Sequence, residues 1–173
     1  MMNNIIALVM FAVVLSACSD AKRKKKETTE TKPAKSLEYK NPLAVQFGDP
    51  YILHASNDTF YLYGTGHVND GFVCYSSQDM VNWTFRDQVY KAGKDSWTEK
   101  NFWAPEVYER NGKFYMFFSA DWKNNPNNEL ENFKIGVAVS DNPTGPFKNL
   151  INRPIFNPDY PIIDANLYTD DDG

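Results

Sequence analysis

Gly48-Asp49-Pro50-Tyr51-Ile52, followed by Asn57-Asp58-Thr59-Phe60-Tyr61-Leu62-Tyr63, is the stretch that decides the fold. Alternating large apolar residues on either side of an Asn-Asp pair read as an antiparallel hairpin. The pattern returns. Trp103-Ala104-Pro105-Glu106-Val107 leads through Asn111-Gly112 to Lys113-Phe114-Tyr115-Met116-Phe117-Phe118. A third start, Ile163-Asp164-Ala165-Asn166-Leu167-Tyr168, leads to Asp171-Asp172-Gly173. Asp49, Ala104 and Asp164 stand 55 and 60 residues apart. Equivalent strands of a repeated unit bring such positions to one centre, so two carboxylates converge there and suggest acid/base chemistry.

The same alternation predicts eight strands. Asp49 to Leu53, Thr59 to Gly64, Phe72 to Ser76 and a segment near Thr84 to Tyr90 form one set. Glu106 to Glu109, Lys113 to Ser119, Lys134 to Ser140 and a segment near Phe147 to Ile151 form the other. Little beyond the amino-terminal segment carries a helical period. In the links after the third strands, Asp79 and Asp141 are expected to cap their own loop backbones. Trp83 and Phe147 are expected to pack between neighbouring units. Four antiparallel strands recurring every ~55–60 residues describe the blades of an all-β propeller better than a sandwich. Two blades and the first hairpin of a third are accounted for, whereas closing a ring takes about four or more. The chain is therefore expected to be the amino-terminal part of a protein of roughly 300 residues or more, marginal on its own because of its open edge.

The first residues read as an export signal. Ile5 to Leu15 is uncharged and apolar, long enough for a signal-peptide core and too short to span a bilayer. Leu15-Ser16-Ala17-Cys18 resembles the lipobox of a bacterial lipoprotein. That resemblance implies a signal peptide of residues 1–17, acylation of Cys18 and a lipid anchor in the membrane. Ser19 then favours, by analogy, the outer membrane of a Gram-negative bacterium, on its periplasmic or cell-surface face. Met1 to Asn4 departs from the pattern in lacking Lys and Arg, and a plain secretory signal is the competing reading.

Residues 18–40 read as a tether, with eight Lys/Arg against four Asp/Glu and almost nothing apolar to bury. From Asn41 onward the balance reverses to ten against eighteen, which argues against nucleic acid and suits a neutral substrate. With Cys18 acylated, Cys74 has no disulfide partner and reads as a buried apolar residue. His54 and His67 are isolated, and no His/Cys cluster has metal-ligand spacing, so the motifs require neither metal nor cofactor.

Asp49-Pro50-Tyr51-Ile52, Trp103-Ala104-Pro105-Glu106, the link carrying Ser77, Asp79 and Trp83, and Ile163-Asp164-Ala165 with Asp171-Asp172-Gly173 together resemble glycoside hydrolase family 43. The resemblance covers residues 41–173. It implies a five-bladed β-propeller that cleaves arabinose- and xylose-containing polysaccharides with inversion at the anomeric carbon. Inversion needs a carboxylate base and a carboxylic acid ~6.5–9.5 Å apart, with water between. By the resemblance, Asp49 matches the general base. Asp164 matches the aspartate that orients the acid and raises its pKa through negative charge. The acid itself matches a glutamate on a later blade, beyond Gly173.

Trp103 is either a wall of the sugar subsite or a core residue. Glu106, two residues past Ala104, reads as a polar contact near the pocket rather than as the acid. Asp170 to Asp172 read as a hairpin loop rather than a calcium site. The resulting expectation is a membrane-anchored α-L-arabinofuranosidase or β-xylosidase acting on plant-type polysaccharide, with this chain inactive without the acid. An endo-arabinanase and a non-catalytic glycan-binding lipoprotein are the alternatives. The Asn-Asp-Pro-Asn start of fructan-cleaving propellers is absent, since Phe47-Gly48-Asp49-Pro50-Tyr51 stands there. The Asn-rich loop from Asp121 to Asn132 is placed to border a cleft.

Overall fold

The computed structural model describes residues 38–39, 41–125 and 132–171. The signal segment, the acylation site Cys18 and nearly all of the tether lie outside the described residues, as do Asp172 and Gly173. Eight strands and no helix are present among the described residues: β1 (Gly48–His54), β2 (Phe60–Thr65), β3 (Gly71–Ser77), β4 (Thr84–Lys91), β5 (Trp103–Arg110), β6 (Lys113–Asp121), β7 (Phe133–Ser140) and β8 (Lys148–Asn149). They form two antiparallel sheets in chain order, β1-β2-β3-β4 and β5-β6-β7-β8. Each predicted strand is found, the eighth shortened to a pair of residues.

Local chemistry sets the turns. Asn111 and Gly112 join β5 to β6 with positive φ at both positions, 52° and 71°. This is the two-residue turn whose twist matches that of the flanking strands. After β3, the Ser77 hydroxyl accepts the Asp79 and Met80 amides, and Asp79 Oδ1 accepts those of Val81 and Asn82. Those bonds hold the Asp79 carboxyl well below the usual range, the Asn82 amide first among them. Asp141 behaves differently from the expectation. Its carboxylate pairs with Lys113 Nζ at 2.5 Å, while the Ser140 hydroxyl accepts the Asn142 amide. Asp141 directly follows its serine, whereas Asp79 stands two residues after Ser77, and from that place its carboxylate reaches Lys113 on β6.

The two sheets share one core of packed aromatic rings. Phe72, Tyr90 and Phe118 are fully or almost fully buried. Phe118 lies 5.5 Å from Phe72 and 5.0 Å from Tyr90 between ring centroids. The sheets are also stitched by hydrogen bonds. The Phe147 amide donates to the Val89 carbonyl at 2.7 Å, beside a parallel bridge to Tyr90, and Tyr63 Oη donates to the Pro143 carbonyl at 2.6 Å. Gly145 permits this approach: it has φ 77°, and a Cβ there would meet the Val89 oxygen at 2.6 Å. Phe147 thus packs between the units as expected. Trp83 instead closes its own link by donating to the Met80 carbonyl.

The third start is present as chain without strand pairing among the described residues, running over the second sheet. The amides of the segment leading to it reach sheet carbonyls, Ile155 to Ile135 and Ile162 to Phe133. Lys134, almost wholly buried, donates to the Pro158 and Tyr160 carbonyls.

Candidate active site

β1 and β5 begin in the same unusual way. In each, one residue pairs with the end of the neighbouring strand, Gly48 with Thr65 and Trp103 with Ser119. The register then breaks across Asp49-Pro50 and Ala104-Pro105 before regular pairing resumes at Tyr51 and Glu106. A proline cannot donate to a ladder, so a bulge at that point costs no ladder bond. The break turns the residue ahead of each proline into the left-handed region, with φ 47° at Asp49 and 46° at Ala104. Asp164 has φ 60°. Aspartate enters this region more readily than most residues, whereas alanine there costs about 1–2 kcal/mol. The three positions inferred to be equivalent therefore share a backbone state as well as a sequence register.

Two hydroxyls join them. Thr65 Oγ1 donates to Asp49 Oδ2 at 2.8 Å and accepts the Ala104 amide at 2.8 Å. Ser119 Oγ, at the matching place on β6, accepts the Asp164 amide at 2.9 Å. Asp49 and Asp164 are both exposed. Asp49 Oδ1 has no hydrogen-bond partner among the described residues, which leaves it open to water or ligand.

A second tier lies two residues further along each start, at Tyr51, Glu106 and Asn166. Glu106 Oε2 accepts a short hydrogen bond from Tyr108 Oη and another from Asn166 Nδ2 at 3.1 Å. Tyr108 Oη also accepts the Leu167 amide at 3.0 Å. Burial and the Glu106 bond push the Tyr108 phenol well above its usual pKa. Burial, then the Glu106 charge, raises the Tyr51 phenol as well. Both phenols therefore stay protonated at neutral pH, and that of Tyr108 donates to Glu106. Glu106 is thus a partly buried carboxylate that holds the third start, with only Oε1 free of protein hydrogen bonds among the described residues. Trp103 packs on Phe133 at 4.1 Å and 30° while remaining 36% exposed, so it is neither wholly core nor wholly open.

The other titratable candidates fall elsewhere. Cys74 is fully buried, and desolvation pushes its thiol up to about 12. His54 bonds Asp58, and His67 lies between Phe47 and Tyr75 with its Nε2 on the Gln46 carbonyl. No group of three or more metal-ligating side chains exists among the described residues. Sequence reasoning passed over Thr65, Ser119, Tyr108 and Asn166. The available signal was a hydroxyl ending both aromatic runs, Phe60 to Thr65 and Phe114 to Ser119.

The model of glycosyl hydrolases family 43 matches residues 39–173. The chain belongs to this family. Its two sheets are accordingly blades of a β-propeller. Among relatives, an extracellular exo-α-(1→5)-L-arabinofuranosidase of Cellvibrio japonicus is 33% identical over 43% of this chain and 22% of its own length. A xylosidase/arabinosidase of Humicola insolens is 38% identical over 49% of this chain and 23% of its own length. A thermostable family-43 glycoside hydrolase superposes with a TM-score of 0.69 at 36% identity, covering 79% of this chain and 42% of that one. An endo-arabinase of Bacteroides thetaiotaomicron gives 0.66 at 30% identity, covering 75% and 43%. The family 43 chain thus spans less than a quarter of those two curated relatives.

Proposed function

We propose that this family 43 chain supplies the base side of an inverting glycosidase that cleaves arabinose- or xylose-containing polysaccharide. Asp49 is the general base: its free Oδ1 takes a proton from the water that attacks the anomeric carbon. Asp164 orients the general acid and raises its pKa by negative charge. No described carboxylate is assigned as the acid, because Glu106 is committed to Tyr108 and Asn166. Trp103 offers its exposed portion to a sugar ring, and Glu106 Oε1 offers a polar contact to the substrate.

The observation that carries this reading is the shared left-handed backbone of Asp49, at the break in β1, and Asp164, at the same place in the third start. Strain of this kind persists where the surroundings over-determine it, as at active sites. The names of relatives support arabinofuranosidase, xylosidase or endo-arabinanase action. The relatives named extracellular support export. A lipid anchor at Cys18 with a tether to residue 40 completes the proposal.

The test is pentose release from arabinan and xylan by the protein that carries this chain, with the anomeric configuration followed by NMR. Asp49→Asn is expected to lower kcat by about 10²–10⁴-fold. Full activity in that variant excludes Asp49 as base. Sugar binding without hydrolysis in the unmutated protein favours the glycan-binding alternative.

A further inference from the structure

We propose that Thr65 is the positioning residue of the Asp49 carboxylate, and that it ties the base to the next blade. The proposal rests on the assignment of Asp49 as base. A hydroxyl has one hydrogen to donate. The Ala104 amide can only donate, so Thr65 Oγ1 must accept from it, and the two lie 2.8 Å apart. The Thr65 hydrogen is then directed to its other neighbour, Asp49 Oδ2, also at 2.8 Å. Asp49 is left with one oxygen held and one open.

The matching hydroxyl of Ser119 accepts the Asp164 amide in the same manner. It faces no second carboxylate, since Ala104 stands where Asp49 stands in the first blade. A hydroxyl at the end of the second strand thus locates the next start, and at Thr65 alone it also fixes a carboxylate. The β-branched stem of threonine restricts χ1, which makes the hydroxyl a stiffer support than serine. Any relative shift of the two blades moves the Ala104 amide, turns the hydroxyl and displaces the base.

Steady-state kinetics on the protein carrying this chain tests the proposal with Thr65→Val, Thr65→Ser and Asp49→Asn, each checked for an unchanged thermal midpoint. Thr65→Val is expected to lower kcat about ten- to a hundredfold, the effect of losing one hydrogen bond to a charged group. KM should stay within about twofold, because the lost contact orients the base rather than the sugar. Thr65→Ser should recover most of the loss. Equal losses in Thr65→Ser and Thr65→Val would mean that the hydroxyl by itself does not hold the base, and would overturn the proposal. So would a fully active Thr65→Val beside an inactive Asp49→Asn, which leaves the base assignment standing. A fully active Asp49→Asn overturns the base assignment instead. If Thr65→Val fails to fold, Thr65→Ser still tests the proposal, because a large loss of kcat with the hydroxyl retained overturns it.

Discussion

Phe118 is the residue on which the union of the two sheets depends, and Phe118→Ala is the perturbation that exposes it. The ring is fully buried. It meets Phe72 and Tyr90 from the first sheet, and Trp97 at 5.9 Å in a stacked arrangement. Truncating a buried phenylalanine costs about 3–5 kcal/mol, and ring pairs contribute about 0.5–1.5 kcal/mol beyond area. Little can collapse into the gap, because Gly136 beside it has no side chain, and a Cβ built there would already meet the Phe118 ring at 2.7 Å. A loss of about 4 kcal/mol is therefore expected, a large part of a typical domain's 5–15 kcal/mol. Urea denaturation of the protein carrying this chain, followed by near-ultraviolet circular dichroism, reads it as a midpoint lowered by about 2 M. Phe85→Ala serves as the reference. Its ring is 53% exposed and touches Tyr75 edge-on at 5.4 Å. Its expected cost is under about 1 kcal/mol. If the two variants shift the midpoint equally, the shared aromatic core does not hold the sheets together.

Two further outcomes follow from the charged and thiol groups. The Ser56 hydroxyl, then its amide, holds the Glu109 carboxyl below its ordinary 4.5. A depressed folded pKa stabilises above the unfolded value and is lost as pH falls through the folded one. Glu109→Gln should therefore flatten the loss of stability below about pH 4.5; an identical acid limb in both proteins refutes the link. Cys74, buried with its thiol pushed up to about 12, should react with a disulfide reagent at pH ~8 only as fast as the protein opens. Labelling in a Cys18→Ser background that outpaces unfolding would contradict that burial.

The strands were legible because alternation is a local property: apolar residues at every second position declare a buried face without knowledge of the partner. The repeat was legible for the same reason, since Asp49-Pro50 and Ala104-Pro105 mark the same break in two ladders. What stayed hidden depends on register. Thr65 and Ser119 look like ordinary strand-end hydroxyls until β1 is paired with β2 and β5 with β6, which sets each beside its own start, and until the next start packs its amide against them. Asp141 was misread because its identity suits a loop cap, and only the fold shows Lys113 within 2.5 Å. Glu106 could be read as a polar residue near the start of β5, but its partner Asn166 lies sixty residues away in sequence, so the bond between them shows only in the fold.

The shared left-handed backbone also had no sequence marker, because nothing in alanine favours it. That Ala104 adopts it at all says the conformation is imposed by the assembly, through the break in the β5 ladder and the Thr65 hydroxyl that holds its amide. Asp49 and Asp164 adopt it more cheaply, since aspartate tolerates that region. The frame therefore sets the position, and the residue type at that position decides whether the place carries a carboxylate. On this view the first and third starts differ from the second by a side chain on a common scaffold. The hydroxyls at the strand ends keep the three starts in one arrangement.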